Sequence, residues 1–165
     1  MRKELEEAVK LLHTSLPEAY AFLYGNSDYP ELSGAAYLYP LWGGTLMVIE
    51  VSGLPFSDQT CAERVFGFHI HEDHTCTGTK EDPFADTKMH FNPDGCPHPE
   101  HAGDLPPLFG NRGYALTMFY TERFYPEEVI GRTLVIHDHA DDFKTQPSGD
   151  SGKKIGCGEI KENTE

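Results

Sequence analysis

Short apolar and aromatic runs, each stopped by Gly, Pro or Asn, recur along this chain from residue 19 to residue 160. Residues 19–24 read Ala-Tyr-Ala-Phe-Leu-Tyr and end at Gly25-Asn26. Residues 34–41 follow, and Trp42-Gly43-Gly44 supplies a hairpin turn signal. Residues 45–51, Thr-Leu-Met-Val-Ile-Glu-Val, are halted by Gly53 and Pro55. Residues 65–72, 114–120, 133–137 and 153–160 complete the set. About eight short strands separated by turns predict an all-β fold, an antiparallel sandwich or barrel. The 16 glycines and 12 prolines are spread out, as turns between strands require. The exception is residues 1–13. There Leu5, Val9 and Leu12 fall at helical spacing among Glu4, Glu6, Glu7 and Lys10, which predicts a short amphipathic helix docked on the domain. A length of 165 residues with no internal repeat predicts one domain, residues 1–165, with 1–13 as a helical extension.

One of the predicted strands carries an unusual pair. Gly67-Phe68-His69-Ile70-His71-Glu72 places two histidines one residue apart. Residues i and i+2 of a strand project from the same face, so His69 and His71 can aim two imidazoles at one point. Imidazole is a natural ligand for first-row transition metals. His90, His98, His101 and Asp104 follow within a segment rich in Gly and Pro, and His137 closes the later apolar run at 133–137. Residues 73–113 have little periodicity, and a structureless loop of that length needs something to order it; metal ligation and a disulfide would do so. His90, His98, His101 and Asp104 offer the four N and O donors of a closed zinc site. His69, His71 and His137 come from strand or strand-end positions, and three or four imidazoles with an accessible face suit copper. His139 and His74 read as loop residues, His13 as a helix-surface residue, and Asn92-Pro93-Asp94-Gly95 as a turn.

In its ordered motifs the chain resembles the copper/zinc superoxide dismutase family, and its bacterial branch more than its animal one. The resemblance rests on Gly67-Phe68-His69-Ile70-His71-Glu72, His90-Phe91-Asn92-Pro93, His101-Ala102-Gly103-Asp104-Leu105-Pro106, Val135-Ile136-His137 with Ala140-Asp141-Asp142, and Gln146-Pro147-Ser148-Gly149 with Cys157-Gly158. It implies a Greek-key β-sandwich or barrel with long metal-binding loops, and the conversion of superoxide to dioxygen and hydrogen peroxide. It implies copper on His69, His71, His90 and His137, and zinc on His90, His98, His101 and Asp104, with His90 bridging the two. Asp141 would join a copper-site histidine to a zinc-site histidine. Cys76 and Cys157 match the family's disulfide. Where the family has an arginine beside copper, this chain has Lys154, which keeps the charge and loses the bidentate fork. Lys144 and Lys153 would add positive field nearby. A metal-buffering protein on the same scaffold is the competing reading, and Lys154 is the feature that supports it.

Of the four cysteines, Cys61 and Cys96 are left without an assignment; Cys96 could enter the zinc shell, pair with Cys61 or remain a buried thiol. The net charge of −14 argues against nonspecific binding to nucleic acid or anionic membranes. Acidic residues at Glu4, Glu6 and Glu7 stand where a signal peptide needs an apolar run, so the expectation is a cytoplasmic protein, or a periplasmic or extracellular one if a leader was removed. A homodimer is compatible with this family pattern.

Overall fold

The computed structural model describes residues 2–165. Chain order runs α1 (Lys3–Thr14), β1 (Ala19–Gly25), β2 (Ser33–Leu41), β3 (Gly44–Ser52), β4 (Val65–Phe66), β5 (Phe68–His71), β6 (Leu108–Phe109), β7 (Ala115–Thr121), α2 (Pro126–Val129), β8 (Thr133–His137), β9 (Lys154–Glu159) and β10 (Lys161–Glu162). Every pairing is antiparallel, and the main sheet runs β5-β8-β9-β1-β2-β3-β7, with β10 added to β1. The last strands thus return to lie beside the first, the Greek-key arrangement. The N-terminal helix forms as expected, although Met1 lies outside the described residues. Trp42 donates from its indole to Glu7 at 2.9 Å and so ties α1 to the β2–β3 hairpin.

The strands obey a period of two. Ala19, Ala21 and Leu23 of β1, Ala36 and Leu38 of β2, and Met47, Ile49 and Val51 of β3 point into one core with Phe66, Phe68, Leu134 and Ile136. Each large side chain there contributes roughly 1.5–3 kcal/mol on burial. The β2–β3 connection is a two-residue turn in which Trp42 and Gly43 both have positive φ, 49° and 86°, the twist that a tight hairpin needs.

Three expectations change. The run at 65–72 is not one strand. It breaks at Gly67, so that β4 pairs with β6 in a separate two-stranded sheet while β5 joins the main one. Gly67 is needed at the break because a Cβ there would meet the Ser151 side chain at 2.8 Å. The segment 73–113 is not structureless. It contains a 3-10 turn at Ala85–Thr87 and strand β6, and backbone bonds stitch it to the sheet: Phe91 N to Ile70 O at 2.8 Å and Ile70 N to Gly103 O at 2.9 Å. The run at 153–160 continues past a break into β10. Among the described residues no helix is long and apolar enough to cross a membrane.

Candidate metal centre

Strand alternation does what the His-x-His spacing requires. All four residues of β5 are buried, and His69 and His71 share a face. His137 ends β8, the neighbouring strand, where Ile136 pairs with Phe68. His90 reaches the group from the long loop through an isolated bridge to His71, and Asp104 through one to His69. The His69 and His90 rings stack at 4.0 Å between centroids, the His69 and His137 rings stand 4.9 Å apart, and His71 Nε2 lies 3.4 Å from His137 Nε2. On the other side of His90, its Nδ1 lies 2.7 Å from Asp104 Oδ1. His98 Nδ1 and His101 Nδ1 lie 3.0 and 3.2 Å from Asp104 Oδ2.

The donors therefore form two groups with one shared member. One atom from each of His69, His71, His90 and His137 lies within 4.8 Å of the others, and the same holds for His90, His98, His101 and Asp104. Metal fit follows from what these atoms lack. His69 Nδ1, His90 Nε2, His98 Nδ1 and His101 Nδ1 are buried without a hydrogen bond, the approaches of the last two to Asp104 Oδ2 being charge contacts that lack hydrogen-bond geometry. An unsatisfied buried polar atom costs about 1–3 kcal/mol, and four of them converging on two points is the signature of lone pairs aimed at cations. Four nitrogens suit copper, and three nitrogens with a carboxylate suit zinc.

The electrostatics favour the ligand forms. Burial, and then the charge of a neighbouring histidine (His137 for His71, His69 for His137), holds the His71 and His137 imidazoles well below their usual range, so they stay neutral. Burial also lowers His69 and His101, against the pull of Asp141 and Asp104 respectively. Burial would push the Asp104 carboxyl up, but the His90 hydrogen bond and the surrounding histidines hold it below the usual carboxylate range. Asp141 behaves likewise; against burial, its bonds from His69, Phe143 N and His98 bring it down to about 2.

Asp141 is the expected link between the two groups. Its Oδ2 meets His69 Nε2 at 2.7 Å and its Oδ1 meets His98 Nε2 at 3.0 Å. Each bond fixes the remaining nitrogen, Nδ1, as the one left to face its group. Two further residues of the 138–152 loop, seen in the sequence only as parts of a motif, hold this link. Gln146 donates from Nε2 to His98 O at 2.7 Å and accepts from His98 N at 3.0 Å. Gly149 has φ of 71°, and a Cβ there would collide with Asp141 Oδ1 and come within 2.7 Å of His98 Nε2. Only a glycine lets the chain pass so close to that contact.

Cys76 and Cys157 are bonded, with Cα atoms 5.8 Å apart, which fastens the loop to β9. Among the described residues Cys96 enters no metal group and forms no disulfide; it is half-buried, and its N–H and C=O both bond the Asn92 side chain at 2.9 Å, closing the expected turn. Cys61 is a free, exposed thiol. His139 is exposed and held by Asp138 at 2.7 Å, and His13 and His74 are also exposed.

Lys154 stands opposite His137 in the β8–β9 register. Its Nζ donates to Phe84 O at 3.1 Å and lies 3.9 Å from Asp82 Oδ2. Burial lowers its pKa, with Asp82 opposing, and its charge in turn helps to lower His137. Lys153 and Lys154 line the same open cavity of about 380 Å³ with Lys80, Asp82, Asp138 and Gly152. Lys144 is exposed on the 138–152 loop and does not line that cavity.

A Greek-key barrel with two histidine groups sharing one imidazole defines a two-metal protein, and comparison places it in a family. The family model for copper/zinc superoxide dismutase (SODC) matches residues 42–160. Superoxide dismutase [Cu-Zn] 2 of Aquifex aeolicus is 36% identical over 146 residues, covering 79% of this chain and 80% of that one. The Cu-Zn superoxide dismutase of Deinococcus radiodurans is also 36% identical, over 147 residues, covering 78% and 76%. A double mutant of a SOD-like protein from Bacillus subtilis superposes with a TM-score of 0.68 at 28% identity, covering 85% of this chain and 95% of that one. The Brucella abortus Cu/Zn superoxide dismutase, at 24% identity, shares the fold with a TM-score of 0.71 over 86% and 99% of the two chains. The chain belongs to the copper/zinc superoxide dismutase family.

Proposed function

We propose that this chain is a superoxide dismutase: two superoxide anions and two protons give dioxygen and hydrogen peroxide. The observation that carries the reading is the division of seven buried donors into two groups that share His90. His69, His71, His90 and His137 would hold copper, and His90, His98, His101 and Asp104 would hold zinc. Copper would supply the chemistry by cycling between two oxidation states, taking an electron from one superoxide and giving it to the next, while zinc would stay redox-inert.

The chain's own part is positioning, electrostatics and proton handling. Strands β5 and β8 fix His69, His71 and His137, so that group cannot relax as charge changes. His90 Nε2 is the atom that would take a proton in one half-reaction and deliver it in the other. Its Nδ1 is committed to the zinc group, as the 2.7 Å approach to Asp104 indicates. Asp141 keeps His69 and His98 in the required tautomers. Lys154 supplies a local cation for an anionic substrate in an otherwise acidic molecule, charge −14. Retention of His69, His71 and His137 beside a complete zinc group favours dismutation over metal buffering, since zinc binding alone would not need them.

A homodimer belongs to the proposal. On the outward face, Tyr20, Tyr37, Val48 and Met118 align in register across β1, β2, β3 and β7, next to exposed Phe22 and Leu116. Such a row of apolar side chains on an acidic protein is suited to a like surface, and sedimentation equilibrium measures it.

The deciding experiment loads the protein with copper and zinc, measures both metals, and assays superoxide decay on the same sample. We expect one copper and one zinc per chain and catalytic decay. Full metal loading without catalysis would leave a metal-binding protein; zinc alone after copper reconstitution would overturn the copper group.

A further inference from the structure

We infer that Arg123 is a positioning residue for the zinc group, acting through the backbone of the loop that carries His101 and Asp104. This rests on the zinc reading above. Arg123 follows β7, and its own place is fixed on both sides. Its N–H donates to Thr121 Oγ1 at 3.2 Å, and the next residue, Phe124, is buried with its carbonyl accepting from Thr45 Oγ1 at 2.8 Å. From that anchor one guanidinium nitrogen, NH1, reaches Pro99 O at 2.8 Å and His101 O at 3.1 Å, with Asp104 O at 3.5 Å. The other, NH2, meets Glu100 Oε2 at 3.1 Å.

These carbonyls belong to one tight turn. Asp104 N donates to His101 O at 3.1 Å, and His101 N donates to Asp104 Oδ2 at 3.0 Å. Arg123 thus bonds the turn from outside, while the side chains of His101 and Asp104 face the zinc group from inside. A guanidinium is suited to this because its donors lie in one rigid plane and can serve several carbonyls at once. An ammonium can replace the charge but not that fan of donors. The partly exposed ion pair with Glu100 is a separate interaction, and exposed pairs of that kind contribute little.

The experiment replaces zinc with cobalt(II), whose visible absorption reports the geometry of its ligands, and measures zinc affinity by competition. It uses the full chain and the variants Arg123→Lys, Arg123→Gln and Glu100→Gln. Both Arg123 variants should shift the cobalt bands and weaken zinc by about tenfold or more, the usual scale for losing a hydrogen-bonded support of a metal ligand. The copper(II) spectrum, which reports the strand-borne histidines, should hold, and Glu100→Gln should match the parent. Rescue by lysine, or an equal loss with Glu100→Gln, would mean that charge alone matters and would overturn the proposal. Equal weakening of copper and zinc would mark a general loss of structure and would overturn it too. Parent protein that took up no cobalt at these residues would sink the zinc reading itself, whereas unchanged variants of a cobalt-binding parent would sink only the role of Arg123.

Discussion

His69, His71 and His137 stand on adjacent hydrogen-bonded strands, whereas His98, His101 and Asp104 stand on a loop that meets β5 only at an isolated bridge, Asp104 to His69. In the first region the sheet itself sets where each imidazole begins. Phe68 pairs with Ile136 and His71 with Thr133, and the core side chains Phe68, Ile70, Leu134 and Ile136 lock that register. In the second region position is borrowed from elsewhere: Asp141 and Gln146 grip His98, Arg123 grips the 99–104 turn, and the Cys76–Cys157 bond ties the start of the loop to β9. His90 answers to both. The contrast teaches that a metal group can be rigid through its own backbone or through contacts made with distant parts of the chain, and that the two kinds fail differently.

The sharpest break compares one ligand from each region. His71→Ala should abolish dismutation by the loaded protein and cut copper affinity by more than the roughly 100-fold that losing a ligand's hydrogen-bond partner can cost. The fold should survive, because β5 keeps its ladder. His98→Ala should release zinc and open residues 79–113 to limited proteolysis, while copper stays on His69, His71 and His137. If His98→Ala released copper as readily as zinc, the two groups would not be separable in the way their backbones suggest.

Removing the disulfide should act on the loop before the barrel. Cys76 and Cys157 are separated by 81 residues, and closing a loop of that size is worth about 4 kcal/mol on chain-entropy grounds. The metal-free Cys76→Ser/Cys157→Ser variant should unfold earlier in denaturant by that order. Hydrogen exchange should rise first around Phe84, which packs with both cysteines and Val135, and last in β1–β3. Alkylation of both cysteines in native, nonreduced protein would contradict the bond itself.

Asp141→Asn cuts a side chain that lies outside both ligand sets and touches both regions. Its carboxyl is held at about 2, so the link is charged throughout the neutral range. An amide cannot accept from both histidines in the same way, since one of its ends only donates. Zinc should weaken about tenfold, and copper should weaken less, because His69 remains fixed by its strand. Equal losses at both metals, measured by chelator competition, would mean that the strands hold less than the geometry indicates.

The same division decides how much was legible in the sequence. Strand-borne ligands follow from alternation, so His-x-His at 69–71 could be read from spacing alone. The break at Gly67 could not, because it depends on Ser151 arriving from a distant loop. Loop-borne ligands could be nominated and grouped as four zinc-type donors by residue type, and the family resemblance added the sharing of His90 with the copper group. Nothing in local pattern pointed to Arg123 or showed what Gln146 and Gly149 do. Arg123 and Gln146 bond partners 19 to 48 positions away, and Gly149 matters for the side chain it lacks. The resemblance supplied Cys76–Cys157 where the count of four cysteines left connectivity open.

Lys154 offers the smallest expected effect and the finest test of the strand-borne region. It pairs with His137 just past a register shift in the β8–β9 ladder, so its backbone is held by the sheet, but its side chain is flexible and already engaged. Phe84 O takes one donor, and Asp82 at 3.9 Å offsets part of the charge. An incoming superoxide therefore meets a cation that must be shared. Screening limits repulsion from the acidic surface to about 8 Å at physiological ionic strength, which leaves the final approach to such local charges. Arginine at this position could keep the Phe84 bond with one nitrogen and present others to the anion. One added hydrogen bond of about 1 kcal/mol corresponds to roughly fivefold in rate. Lys154→Arg should thus raise the dismutation rate by that order, and Lys154→Glu should lower it, with copper and zinc contents unchanged. The gain should shrink as salt rises, because it is electrostatic. If neither substitution moves the rate of fully loaded protein, Lys154 does not face the substrate, and its pairing with His137 serves only the fold.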